Sequence, residues 1–175
     1  RRGLPLVEGF SSPRAWAFAL LGIDEYLYHL PSDEEAVAMR SRLTDRLIVL
    51  WDGYATADWP WFEPAVTYEN ARLCQALLLS GRAMPSERAC QLGLQSLRWL
   101  VSIQTTDRDD FRPIGNAGFY KREHEPAAFD QQPVEAQAMV AACLEAHRIT
   151  EDPAWLRDAR RSFDWFLGRN DLGSA

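Results

Sequence analysis

Two stretches of this chain repeat one another 66 residues apart without a gap, and that repeat limits the fold more than any other feature. Glu69 aligns with Glu135, Ala76 with Ala142, Leu78 with Leu144 and Arg82 with Arg148. Ser86 aligns with Asp152, both at helix starts, and Leu97, Trp99 and Leu100 align with Phe163, Trp165 and Phe166. Each stretch carries apolar residues at helical spacing, interrupted once by a short polar turn, so each reads as a helical hairpin. One hairpin cannot bury its apolar face alone, and repeated hairpins therefore stack.

The rest of the chain fits that plan. Ser12-Pro13 is an N-cap hydroxyl with proline at the first helical position. Trp16, Leu20, Ile23 and Leu27 follow at helical spacing to about Leu30. A capping box from Ser32 to Glu35 opens a second helix with Met39, Leu43, Leu47 and Leu50 on its apolar side, ending near Gly53. Thr67 is the expected cap of a third helix, Tyr68 to Leu79, with Gly81 as its stop. Ser86 caps a fourth. Pro133 opens a fifth to about Ile149, with Val134, Ala138, Val140, Ala141 and Leu144 as its expected buried positions. Asp152-Pro153 opens a sixth, carrying Trp155, Leu156, Ala159, Phe163, Phe166 and Leu167 to a stop at Gly168. Residues 1–11 read as an irregular lead-in, Arg169 to Gly173 as a lead-out, and no segment reads as a strand. The expectation is an all-α chain of three tandem antiparallel helical hairpins, six helices, forming one domain over residues 1–175.

The connectors are of two kinds. Those within hairpins are short, near Leu30–Ser32, Gly81–Pro85 and Thr150–Asp152. Those between hairpins are long: Asp52–Val66 and Asp107–Gln132. Alternate turns of an antiparallel array lie at opposite ends, so both long connectors project from one end. Loops of that length in a compact domain tend to carry function, and repeat insertions often mark the binding face. This end is therefore where a site is expected.

Composition narrows the partner. The net charge of −6 argues against nucleic acid and anionic membrane, and no stretch is long and apolar enough to span a bilayer. Seven tryptophans suit ring stacking on sugars as well as a core. Cys74, Cys90 and Cys143 all fall inside helices, an odd number at core positions, which reads as buried thiols in a reducing, cytoplasmic setting. Neither metal-ligand spacing nor a phosphate-binding glycine loop is present, and Gly115-Asn116-Ala117-Gly118 is a turn signal. No cofactor or metal is expected.

The stretches VEGFSSPRAWAFALLG, DWPWFEPAVTYENARL, PIGNAGFY, FDQQPVEA and WFLGRNDLG carry a resemblance. With tandem hairpins, the chain resembles the six-hairpin glycosidase superfamily of (α/α)6 toroids. It looks more specifically like a toroid domain of bacterial glycosyltransferase-type proteins, where it follows a catalytic domain of the retaining two-Rossmann kind. A full toroid has twelve helices, so six would be about half of one. The chain also begins Arg1-Arg2 rather than with Met, and a truncated fragment of a longer chain is expected. An exposed flank of such a half could self-associate.

The resemblance implies a carbohydrate partner in a bowl at the N-terminal ends of the inner helices. Glycoside hydrolysis needs two carboxyl groups, a proton donor and a base or nucleophile. Glu63 and Asp130 are the candidate catalytic pair, each in a loop beside aromatics. Trp59, Trp61, Phe62, Phe119 and Tyr120 are candidate stacking platforms, and Asn70, Asn116, Gln131 and Gln132 candidate donors to hydroxyls. Glu69 and Glu135, at equivalent repeat positions, read as charge complements to helix N-termini or as repeat contacts rather than catalysts. Trp99, Trp155 and Trp165 read as core; His29, His124 and His147 carry no assigned role. Two functions follow. One is a carbohydrate-active domain, a hydrolase or a glycosyltransferase accessory, inactive as a fragment. The other is a non-catalytic helical scaffold or glycan-binding module. A sugar 2-epimerase shares the toroid plan, but the histidine pairs it implies are missing at the inner-helix starts.

Overall fold

The structure, a computed structural model, describes residues 3–171, and it is all-α apart from one two-stranded ribbon. The elements are α1 (Leu4–Val7), α2 (Pro13–His29), α3 (Glu34–Tyr54), β1 (Ala65–Val66), α4 (Ala71–Ala83), α5 (Glu87–Ile103), β2 (Tyr120–Lys121), α6 (Pro133–Thr150) and α7 (Ala154–Asp164). A 3-10 turn, Trp165–Leu167, extends α7, and Gly168 then turns the chain with φ of 84°. The expected lead-out at Leu172 and Gly173 lies outside the described residues.

Helices pair as α2 with α3, α4 with α5 and α6 with α7, and α4 packs between α2 and α6. The core runs through all of them: Leu20 and Ile23 of α2, Leu43 and Leu47 of α3, Leu73 and Leu77 of α4, Leu92 and Leu97 of α5, Ala138 and Met139 of α6, and Trp155 of α7 are buried. Cys74, Cys90 and Cys143 are free thiols, two of them buried. Among the described residues no helix is long and apolar enough to cross a membrane.

Several boundaries differ from the sequence reading, each for a local reason. Asp33, not Ser32, caps α3, its carboxylate accepting from the Ala36 N–H at 3.3 Å. The third long helix begins at Ala71 instead of Tyr68, because the Asn70 side chain turns back to accept from the Thr67 N–H at 2.9 Å and Glu69 is left-handed with φ of 50°. Gly81 does not end α4. It lies buried in the helix where α5 crosses so closely that a Cβ would meet Cys90 Sγ at 2.6 Å and the Cys90 backbone N at 2.9 Å. Leu4–Val7 forms a short helix in the expected lead-in.

The unexpected ribbon has a clear function in the fold. Ala65 pairs with Lys121 and Val66 with Tyr120, antiparallel, which sews the two long connectors together. Arg122 adds a backbone bond to the Pro64 carbonyl at 3.2 Å and an ion pair to Asp58 at 3.1 Å. Two-residue strands are too short to leave a periodic signature in sequence. Phe111 and Ile114 pin the long connector into the core.

The apolar stripe of the third hairpin also falls differently. Ala138 of α6 is buried as expected, but Val134 and Leu144 are exposed, and the buried face is instead Glu135, Ala136, Met139, Ala142 and Cys143. On α7, Trp155 and Ala159 are buried while Leu156, Phe163, Phe166 and Leu167 are exposed. Their spacing is helical, but no described element covers the face they lie on.

Candidate functional site: the N-terminal ends of α2, α4 and α6

Three helix starts meet at one end, and a continuous polar chain joins them. Arg14, in the first turn of α2, donates to Glu63 Oε2 at 2.6 Å, to Asn70 Oδ1 at 3.1 Å and to the Tyr68 carbonyl. Asn70, in the N-cap position of α4, donates through Nδ2 to Glu135 Oε2 at 2.9 Å. Glu135, in the first turn of α6, also accepts from the backbone N–H groups of Glu69 and Asn70. The carboxylate of α6 thus covers the open N–H groups of α4 across one repeat, where the helix dipole favours negative charge.

Arg14, Asn70 and Glu135 are all buried. An arginine in a first turn opposes the helix dipole. It is stable here because Glu63 neutralises it and because its guanidinium lies 5.0 Å from the Tyr68 ring centroid. Glu63 is fixed from its other side as well, since the Trp59 indole N–H donates to its carbonyl at 2.8 Å.

Burial pushes the Glu135 carboxyl up to about 7, against the opposing pull of its bonds from Asn70 and Glu69, with the neighbouring Glu69 charge adding to the rise. Desolvation therefore outweighs three donors. The folded value lies above the unfolded value, so the folded state retains a proton that the unfolded chain has lost. The stabilisation is complete below the unfolded pKa and disappears as pH rises through about 7. Raising the pH from about 5 to about 8 is expected to remove on the order of 3 kcal/mol through this group. Urea unfolding of the wild type and Glu135→Gln across that range checks it: the glutamine chain should show a flatter pH dependence. Parallel curves would refute the assignment.

Around this buried chain lies a partly accessible layer. Tyr68 is 48% exposed. Arg72, in the first turn of α4, pairs with Glu69 at 3.1 Å and donates to Gln75 at 2.7 Å and to Gln137 of α6; its side chain is 12% exposed and that of Glu69 16%. Asp130, in the lip before α6, accepts from Gln132 Nε2 at 2.8 Å. Two lip residues hold left-handed backbone without being glycine: Glu69 before α4 and Asp130 before α6, the latter with φ of 62°. Such conformations are retained where surrounding structure over-determines them and cluster at ligand clamps.

The residues singled out from sequence separate into groups. Glu63 and Asn70 join the buried chain. Asp130 and Gln132 sit on the same end with different partners, and among the described residues no hydrogen bond or ion pair links Glu63 to Asp130. Trp61 and Phe62 are fully buried and Trp59 nearly so, which leaves no free ring face on Trp61 or Phe62. Trp59 packs edge-on to Trp99 at 4.8 Å, and Tyr120, half-buried, stacks over Trp99 at 6.4 Å. Gln131 is engaged fully: it donates to Asp171 at 3.0 Å and accepts from the Trp165 indole at 3.0 Å, tying the long connector to the end of α7. Asn116 donates its backbone N–H to the Asp130 carbonyl at 3.0 Å.

Sequence reasoning passed over Arg14, Tyr68, Arg72 and Gln137. Arg14 carried a usable signal, because a cation one residue after Ser12-Pro13 sits against the helix dipole and calls for a carboxylate partner. Chemically, the buried chain is a frame that sets the spacing of three helix ends. Outside it stand the half-exposed ring of Tyr68, the exposed amide of Gln137 and a mostly buried guanidinium–carboxylate pair, Arg72–Glu69. Among the described residues no group of three His, Cys, Asp or Glu is placed to hold a metal ion. No protein-family model, curated protein or solved structure matches the chain.

Proposed function

We propose that this end of the helix array is a carbohydrate-binding face, and that the chain is a carbohydrate-binding domain built as about half of an (α/α)6 toroid of the six-hairpin glycosidase-like type. One observation carries the reading: Tyr68, held against Arg14 on the buried side, presents a half-exposed ring at the start of α4, where the exposed Gln137 amide of α6 is anchored by Arg72. A pyranose offers an apolar face and a rim of hydroxyls. An aromatic platform flanked by charged and amide groups matches both, as mostly apolar sites with a few placed polar groups do.

Binding fits the geometry better than hydrolysis. Glu63 is committed to Arg14, and Asp130 has its own partner in Gln132. A role in a longer glycosyltransferase-type protein would be that of an accessory that holds the glycan. The test is a glycan screen on the wild type, followed by titration calorimetry of any hit with Tyr68→Ala and Arg72→Gln. Each substitution is expected to weaken binding tenfold or more, roughly the loss of one stacked ring or one charged hydrogen bond. No hit in the screen, or unchanged affinity in both variants, would sink the proposal. Glycan turnover that is abolished in both Glu63→Gln and Asp130→Asn would favour the hydrolytic reading instead.

A further inference from the structure

One face of α7 carries arginines that the repeat does not call for. Arg157, Arg160, Arg161 and Asp164 follow at i, i+3, i+4 and i+7, one side of the helix. The positions 66 residues earlier hold Gln91, Leu94, Gln95 and Arg98, so none of the three arginines belongs to the shared hairpin plan. Arg169 joins them from beyond the helix. Gly168, left-handed with φ of 84°, turns the chain back. Arg169 then donates its backbone N–H to the Asp164 carbonyl at 3.1 Å and its Nη1 to the Asp164 carboxylate at 3.0 Å. These residues line a hollow of about 390 Å³, together with Leu156 and with Asp109 and Asp110 of the long connector.

Four guanidiniums and three carboxylates line the hollow, a surplus of positive charge in a chain of net −6. The surplus is not spread evenly. The connector carboxylates are held by two arginines, Asp109 by Arg161 at 2.8 Å and Asp110 by Arg108 at 3.5 Å, and Arg161 also pairs with Asp158 at 2.6 Å. The other three guanidiniums share one carboxylate. Asp164, buried, accepts from Arg160 Nε at 2.7 Å on one oxygen and from Arg169 Nη1 on the other. Each of these exposed guanidiniums uses one N–H of five in that bond and keeps the rest for a ligand. Among the described residues the Arg157 side chain makes no hydrogen bond or ion pair. Its charge reaches Asp152, but that carboxylate is bonded to Arg98 at 3.2 Å. Arg157 stands in the first turn of α7, where the helix dipole opposes a cation, and three and four residues from Arg160 and Arg161, where like charges repel. Nothing within the hairpin compensates for that placement; an anion in the hollow does.

We propose that this hollow binds a phosphate monoester, with Arg157, Arg160 and Arg169 on its oxygens and Asp164 holding two of the three guanidiniums in place. Three cations sharing one carboxylate leave two positive charges, which match a phosphate dianion, and guanidinium forks fit its oxygens in pairs. The hollow has the size of a site for an organic ligand rather than for a bare ion, and Leu156 gives the esterified group an apolar wall. The inference is independent of the carbohydrate reading, since the hollow contains none of Tyr68, Arg72 and Gln137.

Titration calorimetry with phenyl phosphate at low ionic strength tests it. The wild type is expected to bind, and Arg157→Gln and Arg160→Gln should each weaken binding about tenfold, the loss of one charge-assisted contact. Arg157→Gln should keep the thermal midpoint of the wild type, because its side chain has no partner to lose. Arg88→Gln, an exposed arginine of α5 outside the hollow, and Tyr68→Ala should bind as the wild type does. Phenyl sulfate and benzoate, with a single charge, should bind more weakly. No binding at millimolar phenyl phosphate would overturn the proposal, and so would unchanged affinity in Arg157→Gln. Equal weakening by Arg88→Gln would overturn it by showing diffuse attraction, and loss of binding in Tyr68→Ala by placing the ligand at the α4 end. Benzoate or phenyl sulfate binding as tightly as phenyl phosphate would overturn the assignment of a dianion.

Discussion

Arg14→Ala is expected to lower the midpoint of thermal unfolding by roughly 10 °C. The guanidinium is buried and holds three acceptors on two different segments: Glu63, the Tyr68 carbonyl and Asn70. Alanine leaves Glu63, only 24% exposed, as a carboxylate with no cation beside it. Removing one partner of a buried pair costs about 3–5 kcal/mol, and the partial exposure of Glu63 places this case near the lower figure. For a chain of this length each kcal/mol moves the midpoint by about 2–4 °C. The mechanism makes a second, sharper claim. Glu63→Gln added to Arg14→Ala should recover part of the loss, because the orphaned charge is then gone. Arg14→Lys should fall between wild type and alanine, since an ammonium keeps the charge but cannot fork to three acceptors. A midpoint shift no larger than that of an ordinary surface substitution would show that the buried chain is not what holds the three helix ends together.

The second large effect is expected at Gly115. A Cβ there would lie 1.7 Å from the Phe129 carbonyl oxygen and 2.6 Å from its carbon. Both are backbone atoms, so no rotamer change can relieve the overlap. Gly115→Ala must therefore open the latch that closes the long connector. That latch consists of Gly115 N–H to the Ala127 carbonyl at 2.8 Å, Asn116 N–H to the Asp130 carbonyl at 3.0 Å, and Ala127 N–H to the Phe119 carbonyl at 2.9 Å. Three backbone bonds at about 1 kcal/mol each put the loss near 3 kcal/mol. Hydrogen exchange should locate it. The amides of Gly115, Asn116 and Ala127 should lose protection while those of α2 and α3 keep theirs. Gly53→Ala serves as the control, because a Cβ at Gly53 meets nothing within 4 Å, and the added helix propensity should be neutral to stabilising. Wild-type protection at the latch amides in Gly115→Ala would refute the argument.

The helices were legible because their periodicity and caps are local. Ser86 caps α5 as its position predicts, its hydroxyl accepting from Ala89, and Pro133 opens α6. The failures have two sources, competition between neighbouring side chains at helix starts and contacts between distant segments. Thr67 has the right chemistry for a cap, but Asn70 takes its N–H and displaces the helix start to Ala71. The α7 stripe of Leu156, Phe163 and Leu167 has helical spacing, and spacing alone cannot say whether anything lies opposite. The site divides in the same way. Glu63 was visible as a carboxylate in a loop, and Asn70 as an amide in the first turn of the expected third helix. Their shared partner Arg14 is 49 and 56 residues away from them and was not. Glu135 was read from its repeat position as a helix-end complement or repeat contact, and its bonds to Glu69 and Asn70 are of that kind.

The capping of α4 by Glu135 has a consequence for the order in which the chain can fold. The carboxylate that covers the start of α4 is synthesised 65 to 66 residues later than the N–H groups it serves. A growing chain that has released only its first two hairpins thus leaves the Glu69 and Asn70 N–H groups uncovered, while Arg72 and Leu73 already donate to the neighbouring Glu69 and Asn70 carbonyls. That hairpin can collapse early on local contacts, but its leading end tightens only when α6 has emerged and docked. Because loop closure over such a separation precedes its reward, this step should be the late one. The polar chain at the helix ends then acts as a completion signal: this end of the array is assembled last, after the scaffold beneath it.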